Sequence, residues 1–284
     1  MTNICKIYNI YVYKFLIYYE IINMTNHWKD RIESEILRAW DSTTNWWELS
    51  QIEASTITEI SYDMHATSRQ KENTSRPTVR EWYLSKLWNL KDKYVLDAWC
   101  WVWVDTLTLA KNWAKWVWLD FSKKSIEEAK NLVKDFPDRK FINQDLMEYE
   151  PEKKFDIILF SMAIMHHKDL YSIMKKFSSL LKKWWKLLIV TNNAELVCKD
   201  YWLEMPWVWE TVQYTHYLGE NKDVPFIKFV HSDEDFIEQA SKCWLKMVDY
   251  DDIAVYGDET AYFNNKDTAD INTPNFVSFM FEKN

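Results

Sequence analysis

Glycine is almost missing from this chain: 284 residues contain only Gly219 and Gly257, where usage of about 7% would give roughly 20. A chain so poor in glycine has few residues that tolerate positive φ or close backbone approach. Cysteine is also sparse. Cys5, Cys100, Cys198 and Cys243 are scattered with no C-x-x-C pair, which excludes a zinc knuckle and a disulfide framework and makes a reducing cytoplasm the default. Basic residues do not dominate either. The net charge is −8 with a pI near 5.4, so a face built to neutralise duplex phosphates is not expected and a small-molecule substrate fits better. The apolar stretch 7–23 is broken by Lys14 and Glu20. It is too short and too charged for stable membrane insertion, and no Ala-x-Ala cleavage site follows it.

What the chain has instead is tryptophan, 18 of them. Together the two residue types make up the expected glycine complement. The tryptophans also sit where glycine belongs. Val95-Leu96-Asp97-Ala98-Trp99-Cys100-Trp101-Val102-Trp103 reads as a strand entering a tight turn with the bulkiest side chain at each turn position. Trp184-Trp185 lies between a helix end and a buried strand, and Trp113 and Trp244 mark similar helix-to-strand breaks. Core aromatics do not concentrate at chain reversals, so an aromatic-rich core does not account for the pattern. The sequence is therefore read as having indoles where the natural protein has glycine, through an alternative genetic code in which UGA encodes glycine. Trp28 is at no turn and is read as a true tryptophan.

With 48% hydrophobic residues the length supports one large domain or one domain with an appendage. Residues 1–23, rich in Ile, Tyr and Asn, are expected to be a non-native upstream extension, with Met24 as the start; a peripheral amphipathic segment is the alternative reading. Residues 24–90 read as a helical cap: Ile32, Ile36 and Leu37 share one face, and a second helix over 78–90 turns Trp82, Leu84 and Leu87 inward. From Tyr94 short apolar strands alternate with amphipathic helices, the pattern of a doubly wound, mostly parallel sheet. Strands are predicted at 94–98, 115–119, 139–143, 155–160 and 186–192, and helices at 104–112, 123–135 and 168–182. An irregular stretch to Pro225, a helix over 232–243 and strands at 245–256 and 275–282 complete the chain. The core spans 91–193, and 194–284 supplies a lid and the last strands.

With glycine at 99, 101 and 103 the first turn becomes Asp97-Ala-Gly-Cys-Gly-Val-Gly, and from about Leu90 onward the chain resembles the class I S-adenosylmethionine-dependent methyltransferases. Physically, alternating glycines let the backbone wrap a bulky ligand beside a helix N-terminus. The resemblance implies a seven-stranded Rossmann-like sheet with an antiparallel last strand. It also implies S-adenosylmethionine as cofactor and transferase activity. On that reading Asp97 and the backbone at 99, 101 and 103 hold the methionine part, Asp120 the ribose and Asp145 the adenine. Ala98, Cys100, Phe121, Leu146 and Ser161 complete the cofactor-binding set, Ser161 ending the strand that faces cofactor and substrate. Read singly, each acid could be a helix-starting or solvated loop residue.

His166 and His167, just past the fourth strand, could orient substrate or act as general base; local packing is the other reading. His216, His231 and the aromatics Tyr201, Trp202, Tyr214 and Tyr217 fall in the lid, where they enclose an apolar acceptor or form an ordinary core patch. Ser161-Met162-Ala163-Ile164 stands where amino-methylases of DNA or glutamine carry Asn/Asp-Pro-Pro-Tyr, no Pro-Cys nucleophile exists, and Ser161 and Asn192-Asn193 replace the clustered acids of a metal site. The expectation is a cytoplasmic methyltransferase acting on oxygen, nitrogen or carbon of a small molecule, without metal; the oligomeric state stays open. Two alternatives remain. A nicotinamide-dependent oxidoreductase needs a small residue where Val104 stands, and a non-catalytic binding domain follows if the indoles are real.

Overall fold

In the computed structural model, residues 54, 55, 58, 85–87, 90–100, 114–134, 140–206, 211–218, 224–253 and 276–284 are described. The extension 1–23, most of the cap 24–90 and the predicted helix 104–112 lie outside them, as do Trp82, Leu84, Trp101 and Trp103. Of the cap, Ser85 and Lys86 are helical, and Leu87 is buried as its helical spacing predicts.

In chain order the elements are β1 (Tyr94–Ala98), β2 (Lys115–Asp120), α1 (Lys123–Leu132), β3 (Lys140–Asn143) and β4 (Phe155–Ser161). A single 3-10 turn (Ile164–His166) leads to α2 (Leu170–Leu180), β5 (Leu181–Asn192) and α3 (Ala194–Tyr201). Then come β6 (Val212–Leu218), β7 (Val224–Val230), α4 (Asp233–Lys242), β8 (Leu245–Ile253) and β9 (Phe276–Lys283). Seven strands form one sheet in the order β3-β2-β1-β4-β5-β9-β8; β6 and β7 pair separately. β3 through β5 run parallel, and β9 lies antiparallel to both β5 and β8. This is the predicted mostly parallel, seven-stranded sheet with a reversed last strand.

The central strands β1, β2, β4 and β5 carry apolar residues in succession because both of their faces are covered. Leu96, Val117, Ile158, Phe160 and Ile189 point to the face packed by Phe177 of α2 and Phe236 of α4. Their neighbours Val95, Trp118, Leu159 and Val190 point to the other, where Ile126 of α1 and Leu90 meet them. Each helix starts on a side-chain cap that accepts an otherwise orphaned N–H: Ser122 from Ser125, Asp169 from Ser172, Asn193 from Leu196 and Ser232 from Asp235.

Two expectations are corrected. The helix predicted over 168–182 stops at Leu180, because Leu181 already pairs with Phe155 of β4. The register then jumps to Lys186 opposite Ile157, so 182–185 forms a bulge with Trp184 at φ 67°. The stretch read as irregular after Asn193 holds α3 and the β6–β7 hairpin. Among described residues other than glycine, φ is positive at Asp92, Trp99, Met162, Trp184, Trp202 and Trp244. No described helix is long and apolar enough to cross a membrane.

Candidate functional site

In a doubly wound sheet, ligands gather at the carboxyl ends of the strands where the order reverses. Here that place is the junction of β1, β2 and β4. Asp97 is buried near the end of β1, and the chain then turns so that the N–H groups of Trp99 and Cys100 both donate to the Leu119 carbonyl, at 2.7 and 3.0 Å. Trp99 makes this turn with φ at 87°. Its half-buried indole crosses the strand ends, 4.4 Å from the Phe121 ring and stacked 5.5 Å from His166, with His167 edge-on at 5.6 Å.

Asp120 ends β2 in a buried position, and its Oδ1 accepts the Ser122 N–H at 2.8 Å. Its carbonyl accepts from the side chain of Asn143 and the N–H of Gln144, both at 3.1 Å, which ties the ends of β2 and β3 together. Asp145 is exposed beyond β3, and its Oδ1 accepts the Met147 N–H at 2.7 Å, closing a turn over buried Leu146. Ser161 is half-buried at the end of β4. Ala98, Trp99, Cys100, Asp120 and Phe121 therefore share one strand-end cluster, with Asp145 and Ser161 on its neighbouring edges. Burial, with Asp120 and Asp97 nearby, pushes the Cys100 thiol well up, so it is no thiolate nucleophile.

Three histidines converge, His166 and His167 from one segment and His231 from another. His166 Nδ1 donates to the Ile227 carbonyl of β7 at 3.0 Å, and His231 Nε2 donates to the His167 carbonyl at 2.7 Å. Those carbonyl partners fix both tautomers, since an oxygen of that kind only accepts. Burial holds all three rings neutral: it lowers His166 far below its usual range, and His167 and His231 to about 4. His167 Nε2 is buried with no hydrogen-bond partner among the described residues.

Beside the histidines a cleft is lined by Ile164 and Met165 of the 3-10 turn, Thr191 and Asn192 of β5, Tyr214 of β6, and His231. The hairpin that covers it was not foreseen. Its signal was Val212-Gln-Tyr-Thr-His-Tyr-Leu218, rich in β-branched and aromatic residues. Of the expected aromatic lid, Tyr214 lines the cleft and Tyr201 packs behind it at 4.7 Å, whereas Trp202 is turned to solvent. The side chains of His216 and Tyr217 lie outside the described residues. No group of acids, histidines and cysteines able to hold a metal occurs among the described residues.

Residues 95–184 match the family described as methyltransferase domain. No curated protein matches the chain. Among solved structures, the 1,6-didemethyltoxoflavin-N1-methyltransferase of Burkholderia thailandensis, with bound 1,6-didemethyltoxoflavin and S-adenosylhomocysteine, is similar at TM-score 0.62 and 13% identity, over 84% of this chain and 93% of its own. A putative S-adenosylmethionine-dependent methyltransferase from Listeria monocytogenes aligns at 0.57 and 17% identity, over 73% of this chain and 100% of its own. One from Clostridium acetobutylicum aligns at 0.57 and 15% identity, over 78% and 98%. The strand order agrees with that likeness: residues 95–184 match the methyltransferase-domain family, and the sheet has the fold of these S-adenosylmethionine-dependent methyltransferases.

Proposed function

We propose that the protein moves a methyl group from S-adenosylmethionine to a small molecule seated in the cleft between the 3-10 turn, β5 and the β6–β7 hairpin. One observation carries this reading. A buried acid, Asp120, ends the strand next to the β1 turn, in the place where an acid can accept both ribose hydroxyls. Asp97 and the backbone at 99 and 100 then face the methionine part, and Asp145 and Leu146 the adenine. The nicotinamide alternative fits less well, because Val104 breaks its glycine spacing and β9 runs against β5 and β8. The free, dispersed and buried Cys100, Cys198 and Cys243 suit a reducing compartment such as the cytoplasm.

His167 is the better candidate of the histidine pair for touching the acceptor. Its Nε2 has no partner among the described residues, whereas His166 Nδ1 is committed to Ile227. At a pKa of about 4 it is a weak base. Positioning is therefore its larger contribution.

Residue 99 does not fit the cofactor as it is written. The indole lies against Phe121 and His166, across the strand ends that the cofactor would occupy. The test accordingly uses a chain with Trp99→Gly, Trp101→Gly and Trp103→Gly, titrated with S-adenosylmethionine by calorimetry and then screened for methyl transfer to small acceptors. Binding is expected, and adding Asp120→Ala should remove most of the affinity. A folded triple variant that binds no S-adenosylmethionine would overturn the reading.

A further inference from the structure

We infer that residues 99, 184, 202 and 244 are glycine in the native protein, their codons being UGA, and that the indole at 99 is a plug in the ligand cradle that the native chain lacks. The assignment of the cradle rests on the methyltransferase reading; the assignment of the other three positions does not.

The backbone carries the argument. Six described residues other than glycine have positive φ, and four of them are tryptophan. Left-handed backbone places Cβ against the following carbonyl, a clash glycine lacks and a bulky aromatic does not escape. Trp202 follows α3 with φ 54° and ψ 41°. The Leu203 N–H returns to the Cys198 carbonyl at 2.9 Å, and the Trp202 N–H to Lys199 at 3.4 Å. This paired closure is the helix ending that glycine serves at the Trp202 position. Trp244 repeats the φ sign one residue past the cap of α4, at 63°, and Trp184 does so within the β5 bulge at 67°.

Burial does not offset the strain at these three positions. Trp202, Trp244 and Trp184 are 95%, 73% and 61% exposed. Nor do they make one docking face. Trp184 and Trp244 precede the paired stretches of β5 and β8 at one end of the sheet, whereas Trp202 follows α3 beyond the other end of β5. A second mark appears inside the sheet: the indole N–H groups of Trp116 and Trp118 are buried without a hydrogen-bond partner among the described residues, although buried tryptophans usually find one.

Trp99 differs from the exposed three in what its side chain does. At φ 87° it strains the turn, and its ring fills the space between Phe121 and His166. Glycine there relieves the turn and opens the strand ends together.

The codons are the first test: UGA at 99, 184, 202 and 244 is expected, and UGG would overturn the inference. The second uses purified full-length variants. Trp184→Gly, Trp202→Gly and Trp244→Gly should each raise the thermal midpoint, and each should exceed its alanine counterpart, because only glycine removes the Cβ. A lowered midpoint for the glycine variants would overturn the inference. The third measures S-adenosylhomocysteine binding to the chain carrying Trp101→Gly and Trp103→Gly, with and without Trp99→Gly, where a gain of at least about ten-fold is expected. Raised midpoints with no gain in binding would uphold glycine at 184, 202 and 244 and overturn the methyltransferase reading and the cradle with it.

Discussion

The parallel half of the sheet, β3-β2-β1-β4, and the β6–β7 hairpin with the 3-10 turn, set beside the reversed half β5-β9-β8, build the two sides of the site by different means. On the parallel side the carboxylates of the two strand-end acids are tied down by near neighbours: Asp120 by the Ser122 N–H, Asp145 by the Met147 N–H. On the hairpin side the contacts that gather the histidines join residues more than sixty positions apart, as between His166 and Ile227 or His231 and His167. Chemistry that is local in the chain can be placed from spacing alone. Chemistry assembled by long-range packing depends on the whole fold.

The two halves nevertheless share one core. Phe160 of β4 and Phe279 of β9 are both fully buried in the same apolar cluster, packed around α2 and α4. Phe160→Ala and Phe279→Ala are each expected to cost about 3–5 kcal/mol, the usual range for deleting a buried aromatic ring. Chemical denaturation followed by both fluorescence and circular dichroism should show one transition in each variant. Two separated transitions would break the comparison by making the halves independent units.

Acid should act on the hairpin side. His167 and His231 have folded pKa values of about 4, against 6.5 when unperturbed, because burial disfavours the charged ring. Between those values the unfolded chain binds more protons than the folded one. The stability they contribute is complete above pH 6.5 and is lost as pH falls toward about 4. The slope is up to about 1.4 kcal/mol per pH unit for each ring. Denaturant midpoints measured across this window should fall steadily, and His231→Gln should flatten part of the slope. A pH-independent midpoint would mean that these rings are hydrated in the folded protein.

This asymmetry explains what the sequence could show. Val95-Leu96, Trp116 to Leu119 and Ile157 to Phe160 are continuous apolar runs, and such runs announce strands covered on both faces. Asp97, Asp120 and Asp145 follow from strand ends, so their positions were legible before any coordinates. α3 was not: it has eight residues, and a tryptophan, Trp202, stands at its left-handed end where a glycine would have marked the stop. The hairpin was hidden for another reason. Its partner segments alternate imperfectly, and its pairing of Val212 with Val230 is a long-range fact. The early end of α2 arose because pairing of Leu181 with Phe155 overrode the helical pattern.

Helix caps give the smallest and cleanest contrast between the sides. Ser122 caps α1 beside the proposed ribose acid, and Ser232 caps α4 beside His231; each hydroxyl accepts one N–H, at 3.0 and 3.2 Å. Ser122→Ala and Ser232→Ala should each lower stability by about 1 kcal/mol. Ser122→Ala, in the chain carrying Trp99→Gly, Trp101→Gly and Trp103→Gly, should leave S-adenosylhomocysteine affinity nearly unchanged, because the variant keeps the main-chain N–H that Asp120 Oδ1 accepts. Isothermal titration checks this directly. A large loss of affinity would mean that the hydroxyl also orders the acid, and the parallel side would then depend on side-chain networks as much as its partner does.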